Sequence, residues 1–289
     1  MAKSLKRTSI CFILAIALAF TMMPLAAQPA KAATAKATMG AGKTLTLTEG
    51  VDTLVDFGAT SDFDYNNDTY YFKIYPKKTG IIKVSGNVAY PISGDVALCN
   101  ASKKVISKDS KKSKGAWFWT DSSTAYFRTV YFGVKKNTIY YIRIADCSPK
   151  FVDEAGISKR MGTLKWTNKA VKNIKYGKTK KKALTIKRNK KKAGVIKAGS
   201  KKPQWYKINV NKKSAKIYLT STKNCGKIKA DVYYRLHGSY GKWMKTTIYA
   251  YRDGAYYYSN ISGTTKVRRV YIKVYPGSST SGAYTLKWK

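Results

Sequence analysis

The chain predicts an all-β protein: two tandem antiparallel β-sandwiches behind a cleaved export signal. Three observations carry that expectation. First, four segments recur in the same order. Tyr71-Phe72-Lys73-Ile74 matches Trp205-Tyr206-Lys207-Ile208, and Asp95-Val96-Ala97-Leu98 matches Asp231-Val232-Tyr233-Tyr234. Tyr140-Tyr141-Ile142-Arg143-Ile144 matches Val270-Tyr271-Ile272-Lys273-Val274, and Thr163-Leu164-Lys165-Trp166 matches Thr285-Leu286-Lys287-Trp288. One structural unit used twice is the simplest source of such a pattern. Second, short runs rich in Tyr, Ile, Val and Thr alternate apolar with polar and are spaced by turn residues, as in sandwich strands. Third, beyond the first residues no apolar stripe of helical period persists for three turns.

The elements follow in order. Lys3, Lys6 and Arg7 make a basic start, and Ile10 to Phe20 is an apolar run of eleven residues. Ala30-Lys31-Ala32 puts small residues where a signal peptidase reads, so residues 1–32 are expected to be a signal peptide. A membrane span would need about 20 apolar residues. No other stretch reaches that length, so nothing downstream is expected to cross a membrane. Residues 33–43, small and polar, read as a flexible lead-in.

The first domain is expected over 44–168. Thr44-Leu45-Thr46-Leu47-Thr48 has strict period two, and Tyr70 to Tyr75 is stopped by Pro76 and Lys77-Lys78-Thr79-Gly80. Ile81 to Ser85, Val96 to Cys99 and Lys104 to Ser107 follow. Tyr126 to Val134 and Ile139 to Ala145 flank Lys135-Lys136-Asn137-Thr138, read as a hairpin turn, and Gly162 to Thr167 closes the unit. Residues 169–178 are expected to be a basic linker, with a disordered basic tether over the lysine-rich stretch Lys172 to Lys192 as the alternative.

The second domain, 179–289, repeats the scheme. Its expected strands are Ala183 to Lys187, Val195 to Lys197, Gln204 to Val210, Ala215 to Thr220 and Ile228 to Arg235. Thr246 to Tyr251 and Tyr256 to Asn260 are joined through Arg252-Asp253-Gly254-Ala255, where Asp-Gly signals a hairpin. Val267 to Tyr275 and Ala283 to Trp288 finish it.

Charge is lopsided. Residues 33–170 hold 21 basic and 12 acidic residues, whereas 171–289 hold 31 basic and two acidic, Asp231 and Asp253. Solubility asks for a net charge of only about 2–8 on a small domain. A net +29 repels itself, so an anionic partner is expected to offset it in use. The footprint expected is Lys172, Lys175, Lys178, Lys180, Lys181, Lys182, Lys187, Arg188, Lys190, Lys191 and Lys192, with Arg268 and Arg269.

Removing the signal leaves three cysteines, Cys99, Cys147 and Cys225. An odd count argues against a complete disulfide framework. A Cys99–Cys147 bridge is one arrangement, with Cys225 then unpaired or buried. No cysteine pair has metal-ligand spacing and His237 is the sole histidine, which argues against zinc.

The repeated elements resemble the bacterial pre-peptidase C-terminal domain, a small sandwich carried by many secreted bacterial proteins. Asp68-Thr69-Tyr70-Tyr71-Phe72-Lys73-Ile74 opens the first copy in that pattern, and Gly282-Ala283-Tyr284-Thr285-Leu286 closes the second. The resemblance covers nearly all of residues 44–289 and implies a jelly-roll-like sandwich. It also implies calcium in some members, through acids near the opening strand. The second copy opens Lys202-Pro203-Gln204-Trp205-Tyr206 and lacks the aspartate.

Three candidate chemistries remain. In Asp62-Phe63-Asp64-Tyr65-Asn66-Asn67-Asp68, the carboxylates Asp62, Asp64 and Asp68 have alternate spacing suited to calcium, or form an Asx-rich turn. Catalysis has little to work with: His237 has two acids in its own unit, and no paired carboxylates or Cys-His couple stand out. A non-enzyme is expected. Aromatics offer a sugar- or polymer-stacking platform: Trp117 and Trp119 in a Lys/Gly/Ser-rich loop, and Tyr249, Tyr251, Tyr256 and Tyr258 around one turn.

The expected function is a secreted, non-catalytic adhesion protein that meets anionic polymers: wall teichoic acid or glycan, extracellular DNA, or acidic polysaccharide. No sorting motif follows Trp288, so any wall retention is expected to be noncovalent. The rivals are a carbohydrate-binding module using aromatics and an accessory subunit docking on an acidic protein. A cytoplasmic nucleic-acid role conflicts with the export signal.

Overall fold

Alternation in the sequence becomes alternation in burial. A computed structural model of the chain describes residues 35–38, 44–56, 69–88, 92–108, 116–118, 129–149, 161–236, 243–251, 257–277 and 279–289. All regular secondary structure among them is strand. Along Thr69–Ile74, Tyr70, Phe72 and Ile74 are fully buried while Thr69, Tyr71 and Lys73 are half-exposed. This is the inside–outside period of a strand with one face on a core. Each such large apolar side chain contributes about 1.5–3 kcal/mol on burial.

The first half holds β1 (Ala35–Thr38), β2 (Thr44–Thr46), β3 (Thr53–Asp56), β4 (Thr69–Ile74), β5 (Gly80–Val88) and β6 (Ile92–Cys99). It continues with β7 (Val105–Ser107), β8 (Ala116–Phe118), β9 (Val130–Val134), β10 (Tyr140–Pro149) and β11 (Met161–Ala170). They form two layers, ordered β1-β3-β11-β5-β9 and β2-β4-β10-β6-β7, with β8 on β6. Pairing is antiparallel except β1 with β3 and β2 with β4. Val55, Ile82, Val84, Phe132 and Trp166 from one layer meet Tyr70, Phe72, Val96, Leu98 and Ile142 from the other in one core.

The sequence is corrected at Lys135-Lys136-Asn137-Thr138. Its flanking strands do not form a hairpin: β9 pairs with β5 in one layer, and β10 with β4 and β6 in the other. The turn is an inter-layer crossing, with Asn137 at φ 53° donating its N–H to the Pro76 carbonyl at 2.9 Å. Period-two patterning identifies a strand's buried face but not its neighbour.

The second half contains β12 (Leu184–Thr185), β13 (Lys192–Ile196), β14 (Gln204–Cys225), β15 (Ile228–Leu236), β16 (Met244–Ala250), β17 (Tyr257–Pro276) and β18 (Ser281–Trp288). They join in one sheet, β13-β18-β14-β17-β15-β16, with β12 on β14. This sheet folds over on itself. The 22-residue β14 does the work of both β4 and β5, pairing with β17 from Gln204 to Leu219 and with β18 from Ile217 to Cys225. Bulges between Asn209 and Ser214 move the strand from one layer to the other. The buried set changes parity there, from Tyr206, Ile208 and Val210 to Ala215, Ile217 and Leu219. The 20-residue β17 likewise replaces β9 and β10.

That continuity corrects a second expectation. The strands on either side of Arg252–Ala255 are not partners among the described residues: β16 pairs with β15, and the start of β17 with β14.

The duplication extends to individual hydrogen bonds. Trp166 Nε1 donates to the Leu47 carbonyl at 3.2 Å, and Trp288 Nε1 donates to that of Ile186 at 2.8 Å. The Leu47 and Ile186 amides donate to Lys73 and Lys207 carbonyls, both at 2.9 Å. One sequence match is displaced. Arg143 and Lys273 both face a ring one strand over, Tyr71 and Trp205. On their other side stand Ala97 and Asp231. Asp231 therefore takes the place of Ala97 in the sheet, two residues from Asp95; a slip of two keeps every side chain on its face.

The halves meet through paired polar groups. Ser107 Oγ lies 2.7 Å from Ser281 Oγ, which also accepts the Gly133 N–H at 3.1 Å. Ala198 N–H donates to the Gly133 carbonyl at 2.8 Å. A Cβ on Gly133 would overlap the Ile196 carbonyl oxygen, so the approach requires glycine. Gly282, in the closing pattern of the second copy, sits at φ 145° with its Cα side against Asn224. Cys225 from the second half is a member of the first half's core. Cys99 is a free, buried thiol, so the Cys99–Cys147 bridge does not form; burial pushes its pKa to about 11.

Candidate functional site: a cationic edge beside a ring-bearing sheet face

Between β11 and β13 the chain runs mostly through turns, broken by the two-residue β12. It is tied down where Gly177 and Trp205 exchange both backbone hydrogen bonds at 2.9 Å. Lys172, Lys175, Lys178, Lys181, Lys182, Lys187, Arg188, Lys190 and Lys191 are exposed. Lys180 and Lys192 are half-buried; Lys180 turns onto aromatic rings and Lys192 lies in β13 opposite Leu286. Arg268 and Arg269 fall in β17, with side chains outside the described residues.

Internal neutralisation cannot cancel this charge, because 31 cations share two acids in this half. One of those acids is already engaged. Asp231 is 5% exposed and accepts three hydroxyls: Thr247 Oγ1 at 2.8 Å, Tyr275 OH at 2.9 Å and Tyr233 OH at 3.2 Å.

Asp231 is the hub of a second surface, the outer face of β14, β17, β15 and β16. Register places Lys273 between Trp205 and Asp231, and Tyr271 between Lys207 and Tyr233. Asp231 thus anchors two phenols through their hydroxyls. Trp205 stacks on Tyr233 at 5.9 Å and 27°, and Trp243 meets Tyr271 edge-on at 5.6 Å. All four rings are half-exposed.

Lysines lie over these rings. Lys180 Nζ is 4.0 Å from the Trp243 centroid, 5.1 Å from Tyr271 and 5.5 Å from Tyr233. Lys227 is 4.1 Å from Tyr249 and 4.9 Å from Tyr251, and Lys273 is 5.1 Å from Tyr275. At a solvated surface such a contact is worth about 0.5–1 kcal/mol. That is less than a charge-assisted hydrogen bond to an anion, at about 1.5–3 kcal/mol, so an arriving anion can draw the ammonium off the ring. Tyr233 and Tyr275 are held protonated beyond the ordinary phenol range, by burial first and then by Asp231.

Of the expected aromatics, Tyr249 and Tyr251 lie on this face. Trp117 and Tyr258 lie in β8 and β17 with only their backbone described, while Trp119 and Tyr256 fall outside the described residues. Asp62, Asp64 and Asp68 also fall outside, as does His237. Among the described residues no three His, Cys, Asp or Glu side chains come together to hold a metal. Sequence reasoning missed Trp205, Tyr233, Trp243, Tyr271 and Tyr275. Four of them alternate with buried Tyr206, Val232, Ile272 and Val274, so reading the outward set of each strand would have found them.

The first half carries a sparse counterpart. Lys103 Nζ lies 4.6 Å from the Tyr71 ring, which meets Tyr141 edge-on at 6.4 Å. Ala97 stands where the second half has Asp231, so the hub is missing.

No protein-family model and no curated protein matches the chain. Among solved structures it is similar to the N-terminal CBM22-1–CBM22-2 tandem domain of Paenibacillus barcinonensis Xyn10C. Identity is 7%, coverage 84% of this chain and 98% of that one, and the TM-score 0.23. The class defined by the fold is an all-β tandem sandwich.

Proposed function

We propose that this is an exported, non-catalytic adhesion protein that holds anionic polymers by multivalent charge. The carrying observation is the exposed basic segment between Lys172 and Lys191, laid against a half-protein whose two acids cannot neutralise it. Each anion paired with a lysine releases condensed counterions, so affinity arises from many weak contacts and falls with salt. The export layout of residues 1–32 supports a partner outside the cytoplasm: wall polymers, extracellular nucleic acid or acidic polysaccharide. Kinship with pre-peptidase C-terminal sandwiches is supported by Asp68–Ile74 at the opening of the first copy and by the closing strand β18.

The test is retention of the protein on purified bacterial walls and on immobilised polyanions across a salt series. Retention at low salt with elution as salt rises is expected. Changing Lys181, Lys182, Lys190 and Lys191 to Gln should flatten the salt slope by about 0.9 per lost contact on duplex DNA. Retention undiminished near 1 M salt, where charges are screened within about 3 Å, would exclude the electrostatic account.

A further inference from the structure

We propose that the outer face of β14, β17, β15 and β16 is a binding site for an acidic polysaccharide, a polymer that carries carboxylates directly on its sugar rings. This rests on the polyanion reading and narrows it.

The argument begins with how closely charge and ring coincide. The ammoniums of Lys180, Lys227 and Lys273 sit over rings of this face; Lys180 is within 5.5 Å of three centroids. A ligand that satisfies both must carry anion and flat apolar surface in one monomer. A uronate does so: one face of its pyranose is lined by C–H groups and its carboxylate is on the ring. In a nucleic acid the phosphate is separated from the base by the ribose, so charge and stacking surface fall in different places. Rigidity points the same way. Asp231 fixes Tyr233 and Tyr275 through their hydroxyls, and Trp205 stacks on Tyr233. The result is a fixed pair of near-parallel rings, Trp205 and Tyr233 at 27°, with Trp243 edge-on to Tyr271 beside them. On binding, an ammonium moves from its ring to the carboxylate and the uncovered ring takes the sugar face; no bond is made or broken.

The experiment measures affinity of the protein for polygalacturonate, a single-stranded DNA matched in total charge, and a neutral glucan at one moderate salt concentration. Polygalacturonate is expected to bind about tenfold more tightly than the DNA, the scale of one stacked ring, and the glucan weakest. Trp205→Leu should shrink that preference to about threefold or less, and Trp205→Phe should keep it, since any aromatic face can stack. Lys227→Gln provides a second variant in case Trp205→Leu fails to fold, and should also shrink the preference. Equal binding of the two polyanions, or a preference that survives both Trp205→Leu and Lys227→Gln, overturns this inference and leaves the adhesion reading standing. Failure of both polyanions to bind at low salt overturns both readings.

Discussion

The Trp288 indole donates its N–H to the Ile186 carbonyl at 2.8 Å, joining the last strand to the short strand that opens the second sandwich. Trp288 is 7% exposed, and its own carbonyl accepts the Asn189 amide at 2.9 Å. The bond thus closes the sandwich at the point where the chain enters it. Trp288→Phe keeps an aromatic ring but leaves a buried carbonyl without its donor. The expected loss is about 1–3 kcal/mol, read as a lower denaturant midpoint at unchanged slope. Trp166→Phe, which breaks the equivalent bond to Leu47, should show a loss of the same order; unchanged midpoints in both variants would contradict this role.

A hydroxyl relay crosses the second core. Tyr206 OH lies 2.8 Å from Tyr284 OH, which donates to Gln204 Oε1 at 2.6 Å; Gln204 Nε2 donates to the Val195 carbonyl at 2.6 Å. Tyr284→Phe breaks the chain in its middle and strands the amide oxygen, at about 1–3 kcal/mol. Tyr206→Phe removes only the end donor and should cost about 0.5–1.5 kcal/mol. Equilibrium unfolding of the two variants checks the order; the reverse order would place the stranded group elsewhere.

The same tyrosines set an alkaline limit. Burial raises Tyr206 from 10.0 to about 12, and Tyr284 well above its ordinary value. The folded state thus holds these protons more tightly than the unfolded state. Their stabilising contribution is complete below about pH 10 and is lost as pH rises through the folded values. Tyrosinate absorbance should show the exposed phenols ionising first and the buried ones only above them or with unfolding. Tyr206→Phe should remove part of the fall in stability between pH 10 and about 12. A single unperturbed titration of all tyrosines would refute the assignment.

Gly133 holds the halves together through Ser281, Ala198 and Ile196. Gly133→Ala puts a methyl into the Ile196 carbonyl and must push the second half away. The unchanged protein should unfold in one calorimetric transition, and the variant in two. One undivided transition in Gly133→Ala would show that this junction does not couple them.

Much of the strand content was legible, because Tyr70, Phe72 and Ile74 or Tyr206 and Ile208 announce a buried face by spacing alone. Pairing was not. Lys135–Thr138 and Arg252–Ala255 carry good turn residues, yet the strands they flank belong to different layers or different neighbours, a choice made by packing over long range. The fusion of Gln204–Val210 with Ala215–Thr220 was hidden because the bulge residues Asn211 to Ser214 look like a loop. The exposed cationic edge could be counted from composition. The ring face could not, since Trp205, Tyr233 and Tyr271 come from three strands and meet only in register. Asp231 looked like a leftover acid, and its three hydroxyl partners come from β15, β16 and β17.

Because β14 and β17 each serve both layers of the second sandwich, those layers share two continuous girders. Neither wall can peel away while the other stays standing, so amides along the whole length of both girders should exchange with deuterium at one common slow rate. In the first half the corresponding beams are cut at Pro76–Thr79 and Lys135–Ile139, and there each wall keeps freedom to loosen by itself.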